Sequence, residues 1–95
     1  MAAYVIVNMD VHDAEQFETY RAQVPAIVAK HGGEYLARGG AATVEEGDWI
    51  PKRVVLLRFA DRASAQAFFD DPEYQPVKEI RFASATSQVV LVDGI

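Results

Sequence analysis

Residues 53–59 read Arg-Val-Val-Leu-Leu-Arg-Phe, and this stretch is apolar on both of the faces that a β-strand presents. In an extended chain, successive side chains point to opposite sides. The odd-numbered positions form one face, with Arg53 at its start, and the even-numbered positions form the other. A strand of this kind is buried on both sides, so its sheet needs cover on both faces.

Three further stretches have the pattern of strands. Residues 4–11 and 88–93 are apolar on both faces over much of their length, and residues 34–38 form a shorter strand. Gly39-Gly40 interrupts the latter, and we expect residues 42–44 to resume it after a bulge or kink.

Helical periodicity fills the two long gaps between these strands. Asp13 is a suitable N-cap for a first helix, and Gly32 is a suitable left-handed residue at its end. Pro25 should bend this helix or leave the carbonyl group of Arg21 without a donor. One buried stripe is expected on it: Phe17, Tyr20, Val24, Ile27, Val28 and His31.

A second helical region follows the central strand. Asp61 should cap a short helix, and Asp71-Pro72 should start a further one with Tyr74, Val77 and Arg81 on one stripe. The resulting order, β-α-β-β-α-β, predicts a ferredoxin-like α+β fold with a four-stranded antiparallel sheet, forming one domain over residues 1–95. Its helices cover one face only. We therefore expect a second copy to cover the other, which gives a homodimeric α+β barrel.

Composition excludes several classes of function. The net charge of −5 disfavours nucleic acid as a partner, and no apolar run is long enough to cross a membrane. The chain has no cysteine, and its N-terminus lacks the features of a signal peptide, so we expect a cytoplasmic protein. The two histidines and the acidic residues match no metal-ligand spacing, so we predict no metal and no cofactor.

The chain also resembles a known family. The resemblance rests on the runs at residues 31–40, 46–49, 53–59 and 71–74, together with Arg81. These are similar to the family catalogued as domain of unknown function 1330, over nearly the whole chain. The resemblance implies a dimeric α+β barrel and no particular reaction. The wider fold superfamily includes cofactor-independent monooxygenases, haem-degrading enzymes, lactone isomerases and non-catalytic ligand binders, and fold alone does not choose among them.

Charged residues on apolar faces are the main candidates for a site. Arg53 lies on the strand face that carries Val55, and Arg81 lies on a buried helical stripe. A buried guanidinium group needs an anionic partner. The partner is either a bound carboxylate, which arginine binds through two parallel hydrogen bonds, or an acidic group of the protein such as Glu46 or Asp48. Alternatively, an arginine at the end of a strand extends its charged group into solvent.

The other candidates have both functional and structural interpretations. Trp49 either walls a pocket or packs at an edge or on a partner. His31 is either a general base or a cap of its helix. Asn8 interrupts an apolar strand and must find hydrogen bonds, and the hydroxyl groups of Tyr20 and Tyr74 point into a cleft or are satisfied in the core.

Three functions remain open. The first is a cofactor-independent enzyme for a small anionic or carbonyl-containing metabolite, bound in a cleft between the helices and the sheet. Here Glu46 or His31 would transfer a proton. The second is a small-molecule-binding or regulatory dimer, and the third is a purely structural dimer. The residues predicted to bind the ligand are Arg38, Arg53, Arg81, Tyr20, Tyr74, Trp49 and Asn8.

Overall fold

The computed structural model describes residues 1–95 and has seven regular elements. The strands are β1 (Ala3–Val11), β2 (Glu34–Arg38), β3 (Arg53–Phe59) and β4 (Ala85–Asp93). The helices are α1 (Ala14–Lys30), α2 (Arg62–Asp70) and α3 (Tyr74–Ser84). The ferredoxin-like order predicted from the sequence is therefore confirmed. As predicted, two helices, α2 and α3, connect β3 to β4.

The sheet has the strand order β2-β3-β1-β4, and every neighbouring pair is antiparallel. The centre of β1 pairs on both sides, with Val5 opposite Leu57 of β3 and Leu91 of β4. A register shift between Tyr35 and Ala37 interrupts the pairing of β2 with β3.

The three helices cover one face of this sheet and form the core with it. The stripe predicted on α1 is buried except for His31, which follows the helix and is partly exposed. Phe59, Phe68 and Tyr74 are among the most deeply buried large side chains. Asp13 accepts a hydrogen bond from the N–H of Gln16 at the start of α1, and Gly32 has a φ of 73° after its end. The helix continues through Pro25 without a break.

The opposite face of the sheet has no helix over it. Ile6 pairs with Leu56 and Val90 on that face, and Val90 remains 55% exposed. Tyr4 and Val92 continue the same surface. We call this surface the helix-free face, and it has the apolar character that the sequence predicts.

Three predicted boundaries are wrong. Residues 42–44 form no strand, and β4 starts three positions earlier than predicted, at Ala85. The third helix begins at Tyr74 rather than at Pro72, because Asp71 and the two residues after it form a turn. In that turn, the backbone oxygen of Asp71 accepts a hydrogen bond from the N–H of Tyr74 at 2.9 Å.

Candidate functional site

A cavity of about 180 Å³ lies between the helices and the helix-covered face of the sheet. Thirteen of its 18 lining residues are hydrophobic. The polar ones include four arginines, and no aspartate or glutamate lines the cavity. The arginines are Arg21, Arg38, Arg53 and Arg81.

Arg81 is the most deeply buried of these arginines. It lies in the last turn of α3 and is only 5% exposed. Its Nη1 donates a hydrogen bond of 2.6 Å to Oγ of Ser87, and its guanidinium carbon lies 5.0 Å from the ring centre of Phe82. It forms no salt bridge. The partial negative charge of the helix C-terminus and these neutral contacts compensate its charge only in part.

Arg53 reaches the other side of the cavity. Its Nε is buried and has no hydrogen-bond partner, and its guanidinium carbon lies 5.7 Å from the ring centre of Phe17. Burial lowers the pKa of Arg53, and the nearby positive charges of Arg21 and Arg38 lower it further. Arg53 also forms no salt bridge, so the predicted pairing with Glu46 or Asp48 does not occur.

Gly39 determines where the Arg53 guanidinium group can lie. A Cβ atom at position 39 would collide with Nη1 of Arg53, and the φ of Gly39 is 73°, in the left-handed region. Its N–H donates to the carbonyl group of Val54, which fixes Gly39 beside β3. The glycine therefore leaves the space that this guanidinium group occupies.

Tyr20 and Tyr74 meet at the cavity wall. Their hydroxyl oxygens lie 3.4 Å apart, and both residues are buried. Burial raises the pKa of Tyr20 well above its ordinary value, and the neighbouring Tyr74 raises it further, although the charge of Arg81 opposes this. Tyr20 is therefore a neutral hydrogen-bonding group at neutral pH.

His31 lies outside the cavity. Its Nε2 is 2.7 Å from Oδ2 of Asp71, and Nζ of Lys30 is 2.9 Å from the same oxygen. Oδ1 of Asp71 accepts a hydrogen bond from the N–H of Glu73 at 2.8 Å. The His31 side chain thus ties the end of α1 to the turn before α3, instead of capping the last carbonyl groups of its own helix as the structural interpretation expected.

Glu46 and Trp49 also lie outside the cavity. Both are in the irregular segment 39–52, and Trp49 is 58% exposed. The prediction that they join the arginines in one cleft is not met, because no residue of this segment lines the cavity. Trp49 lines a separate shallow depression formed by the segment itself, with Ile50 and Pro51.

Asn8 lies on the helix-free face. Its Oδ1 accepts a hydrogen bond from the N–H of Lys52 at 2.9 Å, and its Nδ2 donates to Oε1 of Gln88 at 3.3 Å. The residue satisfies its polar groups there and holds the end of segment 39–52 to the sheet. Of the nine residues predicted for a site, the structure brings five to the cavity: Arg38, Arg53, Arg81, Tyr20 and Tyr74.

Several residues that line the cavity were not predicted from the sequence. Arg21 and Pro25 belong to α1, where charged and turn-prone residues gave no sign of facing the sheet, although Arg21 lies one position from the Tyr20 stripe. Tyr35 lines the cavity from β2, and burial raises its pKa while the charge of Arg38 lowers it. Its alternation with the exposed Glu34 and Leu36 could have indicated that it faces the core.

No group of three or more histidine and acidic side chains has a geometry suited to a metal ion. No helix in the structure is both long enough and apolar enough to span a membrane.

A family model matches residues 2–95, almost the entire chain. The chain belongs to the family described as domain of unknown function 1330. The family description assigns no activity to its members. No curated protein matches this member of the domain of unknown function 1330 family in sequence.

Solved structures share the fold of this domain of unknown function 1330 protein at low sequence identity. A protein of unknown function from Rhodopseudomonas palustris has a TM-score of 0.81 at 15% identity, covering 99% of this chain and 82% of the other. SnoaB, a cofactor-independent oxygenase from Streptomyces nogalater, has a TM-score of 0.71 at 19% identity, covering 99% and 93%. A dimeric ferredoxin-like protein of unknown function from Jannaschia sp. CCS1 has a TM-score of 0.78 at 17% identity, covering 99% and 100%.

Proposed function

We propose that the cavity binds a small organic anion with an apolar body. The observation that carries this proposal is the buried Arg81 guanidinium group, which faces the cavity without a carboxylate partner. A buried charge without full compensation is costly, and an anionic ligand supplies the compensation. The surrounding apolar wall gives the rest of the ligand a surface to bury.

The size of the cavity limits the ligand. An apolar cavity of roughly 150 Å³ holds one benzene ring. At about 180 Å³, this cavity has room for one ring or a short branched chain with its anionic group. The chain carries a net charge of −5, so the cluster of arginines at the cavity is a local feature rather than a result of overall composition.

We further propose that the protein is a homodimer through the helix-free face. Ile6, Leu56 and Val90 form its centre, and no element of the protomer covers them. A second sheet packed on this face would bury them, as in other two-layer sheet structures. The dimeric ferredoxin-like protein from Jannaschia sp. CCS1 supports this proposal through its shared fold.

Thermal unfolding tests ligand binding directly. Small carboxylates are compared with their neutral amides, for example benzoate with benzamide. A carboxylate at about a hundred times its Kd should stabilise the protein by about 2.7 kcal/mol, which raises Tm by roughly 10–20 °C in a domain of this size. The amide should give a much smaller shift, because it carries no charge for Arg81 to bind.

Two variants identify the site. Arg81→Gln should abolish the carboxylate-dependent shift, whereas Arg58→Gln should keep it, because Arg58 is exposed and pairs with Glu34. Circular dichroism shows whether Arg81→Gln folds, and Arg81→Lys, which keeps the charge but loses the planar guanidinium group, replaces it if it does not. Equal shifts in wild type and in the folded variant at position 81, or no shift with any carboxylate, would exclude the proposal.

A cofactor-independent oxygenase is the second candidate function. SnoaB shares the fold, and a positive charge beside two tyrosines could stabilise an electron-rich, deprotonated substrate. Because Glu46 and His31 do not line the cavity and Tyr20 stays neutral, the tyrosine hydroxyl groups would act as hydrogen-bond donors to a substrate that is deprotonated before it binds. Oxygen consumption with each ligand found above distinguishes an enzyme from a binding protein.

Cytoplasmic location and function without a cofactor or metal remain predictions.

A further inference from the structure

We propose that the ligand carries two negatively charged groups, one at each end of an apolar body. This inference rests on the proposed function of the cavity and specifies the class of anion. A dicarboxylate with one ring or a chain of similar length is the simplest member of this class. The unpaired arginines indicate the number of charges on the ligand, and their separation across the sheet indicates its length.

The charges on the cavity wall do not balance for a monoanion. Four arginines and no acidic residue line the cavity. Arg21 is neutralised locally, because its Nη1 lies 3.1 Å from Oε1 of Glu18. Arg38, Arg53 and Arg81 form no salt bridge, but Arg38 is exposed and water compensates its charge, which leaves the guanidinium groups of Arg53 and Arg81 for the ligand. One carboxylate can compensate only part of this charge.

These guanidinium groups lie at two opposite ends of the cavity. Arg53, Met9 and Ser87 occupy one row across β3, β1 and β4. Arg81 is bonded to Ser87 at the β4 end of the row, whereas Arg53 lies against Gly39, beyond β3. Two to three strand spacings separate these points, which amounts to roughly 10–14 Å.

Arg38 belongs to the same end as Arg53. It pairs with Val55, which follows Arg53 by two positions on the same face of β3. Arg38 also lies over the ring of Tyr35 at 4.8 Å, which holds it at the cavity wall. At the other end, the positive charge of Arg81 opposes the rise in the pKa of Tyr20.

The distance between the two ends determines the length of the ligand. Each charge-assisted hydrogen bond takes up roughly 2.8 Å, so about 4–8 Å remains between the two anionic groups. A para-substituted ring spans this distance, and the floor between the arginines is apolar, formed by Val7, Met9 and Val55. A single carboxylate therefore cannot contact both ends at once.

Calorimetric titration of dicarboxylates and their monomethyl esters tests this inference. Terephthalate is compared with monomethyl terephthalate, which keeps the shape but lacks one charge, and adipate is compared with its monoester. Each dicarboxylate should bind roughly ten- to a hundredfold more tightly than its ester, the gain expected for hydrogen bonds to a charged group.

The variants assign the two ends. Arg53→Gln should reduce the affinity for the dicarboxylate to that for the monoester and change monoester binding by less than about threefold. Arg81→Gln should weaken both, and Arg58→Gln should change neither. If Arg81→Gln does not fold, the comparison of Arg53→Gln with wild type decides between the outcomes.

The two proposals fail in different ways. Equal affinity for dicarboxylates and monoesters in wild type would overturn the two-ended ligand and leave the proposed anion site intact. A dicarboxylate advantage that persists in Arg53→Gln would also overturn it. Absence of binding by every dicarboxylate and monoester would overturn both proposals.

Discussion

Gly33 has no room for a side chain. A Cβ atom there would lie 2.7 Å from both Cε1 of Phe59 and Cγ1 of Val28, two atoms of fully buried side chains. Gly33→Ala should therefore destabilise the protein by about 1–3 kcal/mol, as expected when a packed core has to accept an extra methyl group. Chemical denaturation with urea measures this.

Gly40 provides the matched control. Nothing lies within 4 Å of a Cβ atom at this position, and its φ is not in the left-handed region. Gly40→Ala should change stability by less than about 1 kcal/mol, with any gain arising from the unfolded state. Equal destabilisation by the two substitutions would contradict the close packing described for Gly33.

At the residue scale, the sequence indicated some site residues and not others. Arg53 and Arg81 stood out because a charge on an apolar face is unusual, and both line the cavity. Glu46 and Asp48 were chosen because they lie in the segment directly before Arg53 along the chain. Asp71 was not chosen as a partner for His31, because 40 positions separate them and only the folded helices bring them together.

Asp71 links two helical elements. Its carboxylate accepts contacts from Lys30 and His31 at the end of α1 and from the N–H of Glu73 before α3. The hydrogen bonds from Lys30, from His31 and from the Glu73 amide, in that order, hold the pKa of Asp71 well below its usual range. The ionised form of this carboxyl group therefore stabilises the fold.

The stability of this junction should depend on pH in the acid range. Because folding lowers the pKa of Asp71, its contribution is complete above the unfolded pKa of about 4 and is lost as the pH falls below that value. Asp71→Asn should melt at a lower temperature than wild type at pH 7, and the difference should shrink steadily below pH 4. Calorimetric scans between pH 7 and pH 2 measure it.

The adjacent carboxylate serves as a control for this experiment. Asp70 is exposed and accepts one hydrogen bond, from Gln66 in its own helix. Asp70→Asn should change Tm little at either pH. A constant difference between Asp71→Asn and wild type at all pH values would show that the loss arises from packing and not from the charge.

At the element scale, the strands were predicted well because their alternation depends on local sequence. The expected strand at residues 42–44 fails for a tertiary reason. If the register that pairs Arg38 with Val55 continued, Ala42 would lie opposite Pro51, which has no N–H to donate. The early start of β4 was missed because Thr86 and Ser87 are polar and give no alternation, although both pair with β1.

At the scale of the whole molecule, the proposed homodimer places a second sheet on the helix-free face. A charge at its centre should prevent two sheets from packing together, so Val90→Lys should reduce the mass measured by light scattering from about twice 10.5 kDa to about 10.5 kDa. Phe82→Lys is the control, because it also places a lysine at an exposed apolar position, here on α3, where Phe82 is 54% exposed. This variant should remain a dimer. A monomeric wild type, or a dimeric Val90→Lys variant, would contradict this assembly.

The uncovered apolar face could be predicted from sequence because every strand but β2 is apolar on both sides and the chain has too few helices to cover them. A cleft between the helices and the sheet was predicted, but the volume of the cavity was not. Its volume depends on how far α1 and α3 stand from the sheet, and no local pattern encodes that distance.

The space left by Gly39 has a consequence for how relatives of this protein could diverge. The guanidinium group of Arg53 occupies the volume that any larger residue at position 39 would need. A single exchange at this backbone position would displace the guanidinium group and alter one end of the cavity, while every side chain of the wall stayed the same. The shape of this end of the cavity can therefore change through a residue that is not part of its wall.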